Sequence, residues 1–368
     1  MTAHTSPAPE GRIAWLDLVR ALSIVLVVLY HVGAGAGNLL LPADSTTAGQ
    51  RWASLNLMLA PVRMPLFFMV SGMLAVRAVH RPWRAVVRPR LLDFAWPYLL
   101  WSALFAVTAW TRYAPLDPAG YMWDQVKVTL TAMGPYWFIA VLPVFFLVAR
   151  CGRRRPRLLL AIAAAVYVAA WPLRALMLEV EAIPALAAEG MFRCTIYAVW
   201  YIAGYVLRDR IIARAERAHL AHGLVAAGLF LAVTLLRQEG GGGVLADRVL
   251  LAAATLSGLA AAVVLATRVV RIGAVARGGR WLGSRTLAIY LVHPLVINVA
   301  VVWYGHSALG EALRGSTLAD VLLVPAVTLL AVLVAVAGHE IVARCGLGGV
   351  FAAPRRRRRE DTGASVQR

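Results

Sequence analysis

The chain has 368 residues, 61% of them hydrophobic, with a mean hydropathy of +0.71 and a formal net charge of +19. Soluble proteins average about 45–50% apolar residues, so the composition excludes a chain of soluble domains and reads as an all-α, polytopic membrane bundle. The positive charge does not indicate a nucleic-acid partner, because the arginines cluster between apolar stretches in the manner of cytoplasmic loops.

In chain order, a short N-terminal tail (residues 1–12) precedes an apolar segment too long and too charged for a cleaved signal peptide, which reads as a retained first span. The hydropathy pattern gives about ten transmembrane helices, near 13–33, 55–76, 92–112, 136–150, 158–174, 191–207, 219–236, 245–267, 282–303 and 318–338. The fourth and fifth are short and carry Pro143 and Pro172. Such residues are tolerated where neighbouring helices satisfy the freed backbone groups. Residues 13–343 form one membrane domain, and 344–368 a basic tail expected to be disordered. Within that tail, Arg355 to Arg359 reads as a topology anchor beside anionic lipid. Gly240 to Gly243 reads as a flexible connection, since a phosphate loop would need a strand before it and a helix after it.

Loop charge tests this topology. The N-terminal tail, the loops after spans 2, 4, 6 and 8, and the C-terminal tail hold 27 of the 37 basic residues, against eight in the opposite loops. That excess places both termini in the cytoplasm and requires an even number of spans; the inner (plasma) membrane is the expected location. Cys151, Cys194 and Cys345 lie far apart with no CxxC pair, so neither a disulfide framework nor a metal site is expected.

Ionisable side chains inside a bilayer cost roughly 2.5–3.5 kcal/mol each on insertion scales. The first span, "LDLVRALSIVLVVLYH", nevertheless carries Asp17, Arg20 and His31. At 100° per residue, Arg20 lies about −60° and His31 about −40° from Asp17, so the three share one face. Arg20 and His31 are separated by roughly 16 Å along the axis, the arginine nearer the cytoplasm. Such a face looks into a bundle or a water-filled cavity. Asp17 serves to hold Arg20, and His31 is the natural general base near neutral pH. Arg63, in the second span, is a further buried charge that pairs with an acid or meets an acceptor.

The first-span pattern, an Arg followed eleven residues later by a His, resembles the acyltransferase-3 family of integral membrane O-acyltransferases. Three further stretches resemble the family in order: "MPLFFMVSGML" with Ser71 and Gly72, "YWFIAVLPVFF" with Trp137, and "LGSRTLAIYLVHPLV" with Tyr290 and His293. One stretch departs from it. The family often shows Arg-x-x-Arg before a Pro at the third span, whereas "RPRLLDFAWPY" has Arg88, Arg90 and then Asp93, and the Arg81–Arg84 pair lies earlier. The resemblance implies transfer of an acyl group, acetyl in the simplest case, from an acyl-CoA co-substrate to a hydroxyl of a carbohydrate, glycolipid or glycosylated metabolite, with no bound cofactor or metal. It implies His31 as base and Arg20 beside the donor path. Arg84, Arg88 and Arg90 would hold the nucleotide, since guanidinium forks suit phosphate. Asp17, Ser71, Trp137, Tyr290 and His293 support the site, with Ser71 either an acylated nucleophile or a helix-packing hydroxyl.

A proton-coupled transporter using Asp17, Arg20 and His31 as a relay is the competing reading. Against it, the second half holds no repeat of the first-span pattern, and many transporters are built from repeats. A non-catalytic scaffold would leave the intramembrane charges unexplained.

Overall fold

The computed structural model describes residues 13–33, 40, 47–113, 115–240, 243–313 and 316–354. The N-terminal tail, the run Arg355 to Arg359 and the middle of the glycine stretch lie outside them. The described chain is helical: α1 (Ala14–Gly33), α2 (Thr47–Val79), α3 (Trp83–Val87), α4 (Asp93–Tyr113), α5 (Pro118–Leu130), α6 (Trp137–Cys151), α7 (Pro156–Glu179), α8 (Ala185–Arg217), α9 (Leu220–Gln238), α10 (Gly243–Val269), α11 (Gly273–Gly283), α12 (Thr286–His306), α13 (Ala308–Leu313) and α14 (Thr317–Arg344). Among the described residues, eight segments are long and apolar enough to cross a membrane, one of them running from α3 through α4.

The other two expected spans fall on α6 and α8. Helix α8 is 33 residues long but carries several charges. Helix α6, at 15 residues, reaches about 22 Å, short of the roughly 30 Å hydrocarbon thickness. It starts inside the bundle rather than at its edge. Its first turn is bonded to the interior of α12, the Tyr136 hydroxyl donating to the Leu291 carbonyl (2.9 Å) and the Phe138 N–H to the Tyr290 hydroxyl (3.1 Å). Before it, residues 131–136 are non-helical, and Ala132 adopts a left-handed φ of 53°. Irregular backbone of this kind survives in a bundle where it lines a cavity, and Met133, Gly134 and Pro135 do so.

Helices α1 and α2 form the centre, with 61% and 72% of their most apolar windows buried, whereas α7 and α9 bury 11% and present leucines outward. The α2–α8 crossing rests on two glycines. A Cβ on Gly72 would stand 1.9 Å from the Tyr201 carbonyl oxygen, and one on Gly204 1.9 Å from that of Met69. The backbones therefore touch, as small residues allow in membrane bundles.

At the end of the bundle holding the start of α1, a π-helical turn (Arg88–Leu92) joins α3 to α4, with Pro89 removing one backbone donor. Residues 349–353, beyond α14, are clamped onto this region. Trp96 Nε1 donates to the Gly349 carbonyl (2.8 Å), Trp101 Nε1 to that of Val350 (2.9 Å) and the Arg88 guanidinium to that of Ala353. The Ala353 N–H donates in return to the Asp93 carboxylate (3.2 Å).

Candidate active site

Five elements bring polar groups to one cavity. From α1 come Tyr30 and His31, from α2 Arg63, from α6 Trp137, from α8 Glu189, Arg193 and Tyr197, and from α12 Tyr290. The cavity measures about 440 Å³, within the range of small-molecule sites. Its wall carries the rings of Tyr30, Phe105, Trp137, Phe192, Tyr197 and Tyr290, backed by phenylalanines outside the lining. Phe67 stacks on Phe138 with centroids 4.2 Å apart, and Phe68 meets Trp137 (5.6 Å) and Tyr197 (5.3 Å).

His31 is half-buried, and its ring centroid lies 5.2 Å from that of His293, which is fully buried. His293 Nδ1 stands 3.0 Å from the Ile289 carbonyl. A carbonyl can only accept, so Nδ1 bears the proton and Nε2 of the neutral ring carries a lone pair. That Nε2 is buried with no hydrogen-bond partner among the described residues. Arg63, 6% exposed, places its guanidinium carbon 4.1 Å over the Tyr30 ring, and its Nη1 is buried without a partner among the described residues. Two Pro residues flank it: Pro61 and Pro65 remove backbone donors from the turn that carries it.

Arg20 and His31 face α12 together: Arg20 Nη2 donates to Thr286 Oγ1 (3.0 Å), and His31 meets His293 one level along. Asp17 lies 4.0 Å from Arg20 Nη1 and is buried. Neither Asp17 nor Arg20 lines the cavity. Trp137 and Tyr290 do, but the Tyr290 hydroxyl is already committed, donating to the Pro135 carbonyl (2.8 Å) while accepting from Phe138. It holds the cavity wall. Ser71 Oγ donates to the Phe67 carbonyl (2.8 Å), one turn back on its own helix, and stands outside the cavity lining.

The three arginines expected at the nucleotide behave differently from one another. Arg88 engages the Ala353 carbonyl and lies 3.8 Å from Asp93. Arg90 reaches the Leu74 carbonyl (3.4 Å), eleven residues and therefore about 16 Å along α2 from Arg63. Arg84 is exposed. None of them lines the cavity around His31.

The family model of acyltransferase-3, described as an acyltransferase domain, matches residues 13–340. The chain belongs to the acyltransferase-3 family. It is also 34% identical over 86 residues to the inner membrane protein YcfT of Escherichia coli (strain K12), a stretch covering 22% of this chain and 24% of that relative. The chain thus matches about a quarter of YcfT's length. No solved structure matches. Within this acyltransferase-3 member, the four family-like stretches, far apart in sequence, converge on one place. His31 meets His293, Tyr290 bonds the backbone of Phe138, and Phe138 stacks on Phe67.

Sequence reasoning assigned no cavity role to Arg193 or Glu189 and none in particular to Arg63. Arg193 counted as a loop charge, yet it is the ninth residue of α8 and lies over Trp137 (5.5 Å to the ring centroid). The signal that could have found it is Tyr197, one helical turn further on the same face.

Proposed function

We propose that this membrane acyltransferase moves an acyl group, acetyl in the simplest case, from an acyl-CoA donor to a hydroxyl of a carbohydrate or glycosylated acceptor. The observation that carries this reading is an imidazole at a cavity wall with a second imidazole behind it. His31 faces the 440 Å³ cavity, and the lone pair of His293 Nε2, unclaimed, lies on the adjacent ring. A small rotation of the His31 ring lets one of its nitrogens donate to His293 Nε2. That bond fixes the tautomer and leaves the other nitrogen free to take a proton.

The reaction then balances simply. The acceptor oxygen attacks the thioester carbonyl, and His31 takes the hydroxyl proton. The C–S bond breaks, and the proton passes to the departing thiolate to give free CoA. With the arginine-rich ends of the bundle in the cytoplasm, the donor enters from the end that holds Arg20, Arg84 and Arg90. Arg88 joins them only by exchanging the Ala353 carbonyl for a phosphate oxygen. The 16 Å from Arg20 to His31 is a span that an extended thioester arm can cross. The acceptor reaches His31 from the opposite side.

The test is purification in lipid nanodiscs with acetyl-CoA and surface glycans from a strain lacking the protein. Thiol release coupled to a gain of acyl mass on the glycan is expected. pH-gradient-driven uptake into vesicles without thiol release would replace this reading with transport.

A further inference from the structure

The charges around the cavity do not balance. Arg63 and Arg193 both line it, and neither forms an ion pair with a described carboxylate. Arg63 is the more telling of the two, being 94% removed from solvent with a buried Nη1 that donates to no described residue. The one acidic residue of the lining, Glu189, is already claimed from outside, because Arg174 Nε donates to its Oε1 at 2.8 Å. Burying an uncompensated charge costs several kcal/mol, whereas pairing it with an anion offsets much of that. A guanidinium is also the group best shaped for a two-pronged bond to carboxylate or phosphate.

We infer that the ligand completing this cavity carries a negative charge, a carboxylate or phosphate held by Arg63 and Arg193 beside the reacting centre. This rests on the acyl-transfer reading for its assignment to a substrate. The anion belongs to one of two molecules. It is either an acidic group on the hydroxyl-bearing acceptor, such as a uronic acid or sugar phosphate, or the far carboxylate of a dicarboxylic acyl group on the donor. The Tyr30 ring beneath Arg63 and the Trp137 ring beneath Arg193 hold the two cations in place. Either source would then set its reactive atom against His31, the neighbour of Tyr30 on α1 (ring centroids 5.2 Å apart).

The experiment pairs neutral and charged probes on full-length protein in nanodiscs. Thermal stabilisation is read with glucose against glucuronic acid and glucose 6-phosphate. Thiol release is read with acetyl-CoA against succinyl-CoA. At least a ~tenfold preference for the charged member of one pair is expected. It should fall towards onefold in Arg63→Met, survive in part in Arg63→Lys, and weaken in Arg193→Met, which guards against a misfolded Arg63 variant. Preference in the sugar pair places the anion on the acceptor, and preference in the donor pair places it on the acyl group. Equal response to neutral and charged members in wild type would overturn the inference, as would a preference untouched by Arg63→Met. Equal loss of turnover on both members would instead make Arg63 a stabiliser of the transition state. If no thiol is released with any donor while Arg63-dependent anion binding persists, acyl transfer fails and the anion site stands.

Discussion

Two polar regions of this bundle look alike in sequence and differ in structure. Around Arg88 and Asp93, every polar group of the clamp has a partner: the tryptophan N–H groups, the Arg88 guanidinium and the Asp93 carboxylate all bind residues 349–353. Around His31 two groups differ: Nε2 of His293 and Nη1 of Arg63 are buried and unbonded among the described residues. A buried polar group without a partner costs about 1–3 kcal/mol. In the acyl-transfer reading His31 supplies the partner that His293 lacks and a ligand the one that Arg63 lacks, whereas the clamp spends its groups on architecture. Composition shows that a polar residue is present; only packing shows whether its valence is spent.

Substitutions can break this contrast or sharpen it. The largest effect is expected for His31→Ala, which should lower acyl transfer by about 10²–10⁴-fold in protein that still folds. Near-normal thiol release would make the cavity an ordinary polar pocket. Tyr290→Phe comes next. It strands the Pro135 carbonyl and the Phe138 N–H and should destabilise the protein by about 1–3 kcal/mol in detergent melts. Trp101→Phe should leave turnover within about twofold, lower stability by about 0.6–1.7 kcal/mol, and speed proteolysis near residue 350. A severe loss of transfer at normal stability would mean that the clamp belongs to the chemistry. Ser71→Ala should change least, within about 0.5 kcal/mol, because its hydroxyl only bonds back to its own helix. Loss of all activity there would restore a nucleophile.

Much of the fold was legible because hydropathy and helical period are local properties. The shared face of Arg20 and His31 follows from 100° per residue, and the structure turns both toward α12. The helix-packing reading at Ser71 was legible from residue size, and the close contact falls on its neighbour Gly72. The half-length of α6 was not, because its start is fixed by hydroxyls on α12, more than 150 residues away. Helices α3, α5, α11 and α13 went unread, being short elements within polar connections. Asp93 looked like a departure from the family's double arginine; its use is to accept from Ala353, 260 residues later. Arg193 was misfiled as a loop charge because a residue near a helix end faces solvent or cavity according to packing alone.

The clamp also sets a clock. Trp101 and Val350 are 249 residues apart, and Arg88 and Ala353 are 265 apart. At about 5–20 residues per second, the ribosome needs roughly 12–50 s to deliver the acceptors after α4 has been made. Throughout that interval the tryptophan N–H groups of α4 and the Arg88 guanidinium stand without their final partners, and the newborn bundle has an open seam along α4. Closure of that seam is among the last events of biogenesis, however early α4 enters the membrane.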